Sequence, residues 1–341
     1  TKKEKIGGSL TNQLQQSYKA IDGVGQSKKE AREKGLKKVH SKKQQRENKS
    51  AANGFIEFLA QEGIYNLRDL TPYHHHKYIE KKKCEDDVSI GHLRNIETAL
   101  NFLQVGLNVL EERKGLELTT FYKGRLIRKV ENKYQDRSYT VEEYLTILKE
   151  LKYPYNVGWF LGYCCGLRAK ELSNIRKEHF MKVKKQYIIH IKDGAGITKG
   201  GRPRMVIVDE EHTPFIDYFL KDIDDHEKVM RGKSDQDLRN HVLRVKKDKG
   251  MDYTDRRGLH GLRHSFARNR LQAIIKDEKD YESAAVYDEL KKHFWKYNNL
   301  HVNWSEEEKE IYHRLLVYAD VIHAELGHGK GRSDLLKRYL L

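Results

Sequence analysis

The 341-residue sequence predicts a mainly α-helical protein with a small β-sheet or hairpin, an α+β arrangement built as two helical modules. Three observations predict this. Apolar residues recur at helical spacing through residues 50–115 and again from residue 138 onward. Two short runs rich in β-branched residues, YIIHI (187–191) and RMVIV (204–208), flank the glycine-rich stretch KDGAGITKGGRP. The chain is also longer than the ~250–300 residues at which a single hydrophobic core stops growing.

Charge comes first along the chain. Lys and Arg number 66 against 50 Asp and Glu, a net +16 that points to a polyanionic partner, most often nucleic acid. Residues 1–50 hold 14 of the basic and 5 of the acidic residues, densest in KKEAREKGLKKVHSKKQQRENK. Residues 1–49 are therefore expected as a basic arm, either solvated or lying along a phosphate backbone. The candidate phosphate contacts are Lys37, Lys38, Lys42, Lys43 and Arg46, with Arg94 and Arg202 further on. No apolar run approaches the ~18 residues of a membrane span, and TKKEKIGGSL lacks the apolar stretch of a signal peptide, so the expected location is cytoplasmic. Cys84, Cys164 and Cys165 form neither a disulfide framework nor a CxxC pattern; the latter two, within WFLGYCCGL, are read as buried thiols.

Residues 50–130 read as an all-helical module. SAANGFIEFLAQEGI carries Phe55, Ile56, Leu59 and Ile64 at helical spacing and is closed by Gly63. Thr71-Pro72 supplies an N-cap and a first-turn proline. Ile90, Leu93, Ile96, Leu100, Leu103 and Leu107 then form one stripe. The triplet His74-His75-His76 is expected as a helix start touching solvent or phosphate, since adjacent helical residues point ~100° apart and share a metal ion poorly.

The second module spans 137–341. Thr140 with Glu143 makes a capping box ahead of Leu145 and Leu148. NVGWFLGYCCGLRAKEL is an apolar helix that ends in a polar elbow. The two β runs form a hairpin with Lys199 near its tip. Helices resume at FIDYFL, LRNHVLRVKKDKG and HGLRHSFARNR, and again after Ser305, which pairs with Glu308 in a second capping box.

Four motifs occur in order: GLRAKEL (166–172), TKGGRPRMV (198–206), HGLRH (260–264) and ELGHGKGRSDLLKRYL (325–340). Together they resemble the catalytic domain of the tyrosine recombinase, or phage integrase, family. The likeness extends from about Ser138 to the end, and residues 50–130 resemble that family's core-binding domain. The resemblance implies strand cleavage by a tyrosine, through a 3′-phosphotyrosyl intermediate and with no cofactor or metal. Arg168 and Arg263 match the two arginines that clamp the scissile phosphate. Planar guanidiniums suit this because they bind oxyanions in bidentate fashion and stay charged. His260 matches the first histidine, which assists proton transfer, and His328 matches the second, which bonds the phosphate. Lys199 matches the lysine that protonates the departing 5′ oxygen, and Tyr339 matches the nucleophile. Glu171 is placed to orient Arg168 from three residues along, and His264 to support the fold of the site.

Three features depart from the family pattern. The 65 residues from Arg263 to His328 suggest an inserted helical hairpin over about 276–318. The 11-residue gap from His328 to Tyr339 makes GKGRSD an expected flexible loop. Only Leu340 and Leu341 follow Tyr339, where family members commonly continue into a tail that docks on a neighbour. Tyr318, a competing tyrosine, sits in an apolar helical stripe and reads as core.

The expected activity is site-specific recombination of double-stranded DNA by a homotetramer, for integration, excision or resolution, with an accessory DNA-bending or directionality factor as a further partner and no membrane. A type IB topoisomerase-like activity and a non-catalytic basic DNA-binding regulator are the alternatives.

Overall fold

The computed structural model describes residues 7–85, 88–128, 135–191, 203–255, 257–328 and 336–341. They fall into two compact units, Thr1–Asn132 and Lys133–Leu341. No described helix is long and apolar enough to cross a membrane.

The first unit is all-helical: α1 (Leu10–Ala20), α2 (Lys28–Glu33), α3 (Lys42–Gln61), α4 (Pro72–Lys83) and α5 (Ile90–Arg113). Ser9, Ser27, Ser41 and Ser89 cap α1, α2, α3 and α5, each accepting an orphan amide of the first turn. Here the structure departs from a basic arm over 1–49. The expected boundary at 49/50 falls inside α3, and α1 is part of the core. Leu10, Leu14 and Tyr18 are buried, and the Tyr18 hydroxyl donates to the Ala99 carbonyl of α5 at 2.8 Å. The side chain of Gln13 donates to Tyr65 O and accepts from Leu67 N. Charge density hid a sparse apolar stripe, completed by Ile21, Ala31 and Val39.

α5 runs through the middle of this unit. Near its end the buried Glu111 carboxylate accepts from Arg68 Nε at 3.0 Å and from Thr119 N at 2.8 Å, tying two loops to the helix. The histidine triplet points three ways, as 100° per residue requires. His74 Nδ1 accepts the Thr71 amide, and His76 is exposed. His75 is core, which corrects the reading of a solvent- or phosphate-facing start. It packs 4.8 Å from the Tyr122 ring and is held at about 4, so it stays neutral, chiefly by burial.

The second unit comprises α6 (Val141–Glu150), α7 (Tyr155–Cys164), α8 (Ala169–Leu172), β1 (Phe180–Val183), β2 (Gln186–Ile191), β3 (Arg204–Ile207), α9 (Thr213–Leu220), α10 (Asp235–Asp248), α11 (Gly258–Asp277), α12 (Tyr281–Tyr297) and α13 (Glu306–Glu325). The expected capping boxes at Thr140/Glu143 and Ser305/Glu308 are both formed. The sheet has three strands rather than two. It is antiparallel in the order β1-β2-β3, with Phe180 opposite Ile189 and Ile189 opposite Val206. β1 escapes sequence pattern because it is a short, mostly exposed edge, and its turn to β2 uses a left-handed Lys184 (φ 57°) in place of glycine. α11 is the core element, carrying buried Leu259, Leu262, Phe266 and Leu271 against α7. α12 and α13 form the helical pair anticipated at 276–318, though α13 continues to Glu325 and so delivers the LGH segment directly.

The α1–α5 crossing is tight at Gly106, where an added Cβ would stand 2.1 Å from the Ser17 carbonyl oxygen, whereas at Gly91 of the same helix there is room. Gly106→Ala should therefore destabilise the protein by about 1–3 kcal/mol. Gly91→Ala should be neutral or stabilising by up to about 1 kcal/mol. Denaturant titration of the full chain measures both; equal midpoints would mean that α1 does not pack there.

Candidate active site

The site is assembled on the C-terminal end of α13. Gly327 adopts φ +69°, which lets the helix close with Gly327 N bonding Ala324 O and His328 N bonding His323 O, both paired in the manner of a Schellman cap. This explains LGH as a structural phrase: leucine ends the helix, glycine turns it, and histidine leaves it. The carbonyls of residues 325–327 point onward without helical partners, at the negative end of the helix. Three arginines take them. Arg204 Nε donates to Glu325 O at 2.7 Å, Arg263 Nη2 to Leu326 O at 2.9 Å, and Arg168 Nη2 to Leu326 O at 2.8 Å and Gly327 O at 3.3 Å.

Arg168 caps α8, four residues long, and Glu171 reaches back to it from the third position. Glu171 Oε2 accepts the Arg168 amide at 2.6 Å, and Oε1 accepts Arg168 Nη1 at 3.0 Å. Glu171 is completely buried. Burial alone would raise its carboxyl, but the fork of Arg204, the Arg168 amide and the charge of Arg263 overcome that and hold it below the usual carboxylate range.

HGLRH opens α11, and positions i, i+3 and i+4 place His260, Arg263 and His264 on one face. Arg263 is 2% exposed, and its Nη1 donates to the Gly166 carbonyl. Gly166 turns the chain from α7 to α8 with φ +61°, and a Cβ there would strike the Phe266 ring at 2.4 Å. Burial lowers Arg263 to about 10, which leaves it cationic at neutral pH.

Tyr339 lies in a single wide helical turn, Leu336–Leu340. Leu336, Leu340 and Leu341 are buried, the Leu340 carbonyl accepts from Tyr287, and the Leu341 carbonyl accepts from Arg268. So anchored, the Tyr339 hydroxyl stands 3.3 Å from His260 Nε2. Its ring is stacked on His264 at 4.8 Å, lies 5.0 Å from the His328 ring, and is 6.0 Å from the Arg263 guanidinium. His260 is exposed at the surface of the site, though crowded by its neighbours. Partial burial first, then Arg263, Arg137, Arg338 and Arg168, hold it at about 4, so it is neutral and able to accept a proton. His264 is pushed to about 3 by burial and His260; it is a neutral floor for the tyrosine ring.

The structure thus gathers Arg168, Glu171, His260, Arg263, His328 and Tyr339 from four separate parts of the chain. Lys199, Arg202 and the GKGRSD loop lie outside the described residues. The basic candidates in the first unit divide. Lys37 donates to Asn101 and covers Phe102, Lys38 donates to Gln26, and Arg94 donates to the Ile127 carbonyl at 2.9 Å. Lys42, Lys43 and Arg46 stand exposed on the first turns of α3, Lys43 beside Glu47. Tyr318 is half-buried with its hydroxyl on Asp280, away from these groups. Cys165 is buried, whereas Cys164 is only half-buried, against Tyr144. Among the described residues no three His, Cys, Asp or Glu side chains gather as a metal ion would need.

Sequence reasoning missed Arg204. The signal was present: in RMVIV, alternation puts Arg204 on the same face as Val206 and Val208, both fully buried. An arginine on the inner face of a strand requires a buried anion, and Glu171 is that anion.

Neither a protein-family model nor a curated protein matches the sequence. Solved structures do match. The XerH site-specific recombinase bound to palindromic difH substrate aligns at TM-score 0.57 and 15% identity, over 87% of this chain and 76% of that one. A lambda integrase tetramer bound to a Holliday junction aligns at TM-score 0.56 and 13% identity, over 98% and 78%. The Tn1549 transposon integrase in complex with a circular intermediate DNA aligns at 0.52 and 11%, over 95% and 94%. These alignments, on a mainly helical chain with a small antiparallel sheet, show that the chain has the tyrosine recombinase fold.

Proposed function

We propose that the protein is a tyrosine-type site-specific DNA recombinase, which cleaves and rejoins DNA through a 3′-phosphotyrosyl link. One observation carries this reading: the Tyr339 hydroxyl sits 3.3 Å from a neutral imidazole, beside a buried guanidinium that shares the Leu326 carbonyl with a second, partly exposed one. A phenol, a base and two permanent cations in that arrangement suit attack on a phosphodiester.

In the proposed reaction His260 takes the phenolic proton as Tyr339 Oη attacks phosphorus. Arg168 and Arg263 neutralise the non-bridging oxygens, and His328 adds a further hydrogen bond. The bond to the 5′ oxygen breaks, and that oxygen leaves with a proton, which the resemblance assigns to Lys199. Attack by another 5′ hydroxyl reverses each transfer and reseals the strand without a high-energy co-substrate. Exchange of two duplexes needs four such cleavages, and each subunit offers one Tyr339, so the working assembly is a tetramer on DNA. XerH acts on difH, and lambda integrase is seen as a tetramer on a Holliday junction. The structural likeness and the +16 charge support the same partner here.

Two outcomes test the proposal. With duplexes selected from random sequence by the full-length protein, then nicked near the bound site, wild type should form a covalent protein–DNA adduct. Tyr339→Phe should bind the same DNA and form none; an adduct in the Phe variant would assign the nucleophile elsewhere. Separately, imidazole NMR signals of His260 in the free protein should stay in the neutral form from pH 8 down to about 5 and titrate near 4. An inflection near the ordinary ~6.5 would remove it as the resting base.

A further inference from the structure

Resting on the reading of this site as a phosphodiester clamp, we infer that Arg204 is the positioning residue that fixes Arg168 in the clamp, acting through Glu171. Arg204 does not itself face the reacting groups. Its side chain is almost wholly enclosed, with Nη1 on Glu171 Oε1 at 2.6 Å, Nη2 on Oε2, and Nε on the Glu325 carbonyl. Each of its three nitrogens is therefore engaged within the protein.

Each Glu171 oxygen is shared. Oε1 accepts from Arg204 and from Arg168 Nη1, while Oε2 accepts from Arg204 and from the Arg168 amide. Glu171 is thus the link between a buried arginine and a partly exposed one, whose side chain is 23% exposed. A fold-stabilising pair needs no third member at the surface of the site. Here the third member is one of the two clamp arginines, and its orientation depends on the carboxylate's position and charge.

Among the described residues, the charged groups facing the Glu171 carboxylate are Arg168 from the start of its own helix, Arg204 from β3 and Arg263 from α11. At the α13 end the Glu325 carboxylate is turned to Arg270. Removing Arg204 takes away the two bonds that best offset the burial of Glu171. The carboxyl then gains a proton at higher pH, its charge-assisted bond to Arg168 weakens, and the guanidinium gains freedom to turn.

The test compares wild type, Arg204→Gln, Arg204→Lys, Glu171→Gln and the Arg204→Gln/Glu171→Gln double variant, all as full chains. Single-turnover adduct formation is followed from pH 5 to 9, with DNA affinity and melting temperature alongside. Arg204→Gln should retain DNA binding and lose on the order of 10²-fold in cleavage at neutral pH, as expected for a misplaced clamp group. Its deficit should deepen on acidification, with the acid limb of the profile moved to higher pH than in wild type. Arg204→Lys keeps a cation beside Glu171, so its loss should be smaller and its acid limb nearly that of wild type. The double variant should be no worse than Glu171→Gln alone. A profile parallel to wild type for Arg204→Gln, or fully additive losses in the double variant, would overturn the inference in favour of a merely structural pair. The guanidinium ¹⁵N signals of Arg168 in the DNA-free protein give a readout independent of cleavage. They should show restricted rotation in wild type and lose it in Arg204→Gln; retained restriction overturns the inference. A wild type that forms no adduct would overturn the recombinase reading, while the Arg168 signals would still decide the role of Arg204.

Discussion

The three carbonyls that end α13 organise the second unit. A helix must leave its last acceptors to something outside itself, and here the partners are Arg204, Arg263 and Arg168, drawn from a strand, a long helix and a short one. Three guanidiniums converging on one helix end would repel each other were it not for the buried carboxylate of Glu171 among them. That single negative charge lets cations accumulate at the site without unfolding it. The negative end of the helix dipole assists in the same direction.

On this frame the histidines are kept uncharged. His260 and His264 sit in a field of arginines and in partial or full burial, both of which disfavour an imidazolium. The site therefore separates its duties by chemistry: permanent charge resides on guanidiniums, and proton acceptance resides on a neutral ring. Tyr339 meets both, because the turn that carries it is pinned by buried leucines and by the carbonyl contacts of Tyr287 and Arg268.

Much of this was legible in the sequence, and for identifiable reasons. Capping boxes at Thr140 and Ser305, the apolar stripe of α5 and the spacing of His260, Arg263 and His264 are local patterns, so the sequence displays them directly. Glu171 was legible because its partner Arg168 is three residues away. Arg204 was not recognised, because its meaning lies in a carboxylate 33 residues distant and visible only after folding. The helices of the first fifty residues were obscured by lysines on their outer faces, which dominate composition while Leu10, Leu14 and Tyr18 determine packing. The edge strand Phe180–Val183 lacked both alternating burial and a glycine turn, the two signals by which hairpins are read.

The α12–α13 pair has a consequence for how such a chain can grow. Only the final turn of α13 addresses the site, through its capped end and His328. The opposite tip, residues 298–305, lies at the start of a 20-residue helix, roughly 30 Å of rise away. Length added at that tip extends the pair outward and leaves the position of the capped end unchanged. The hairpin is in this sense an accessory lever with a fixed root. At its far end the exposed positions, His301 and Asn303, are where a label can be introduced far from the chemistry at the base, whereas Leu300, Val302 and Trp304 pack against the apolar core.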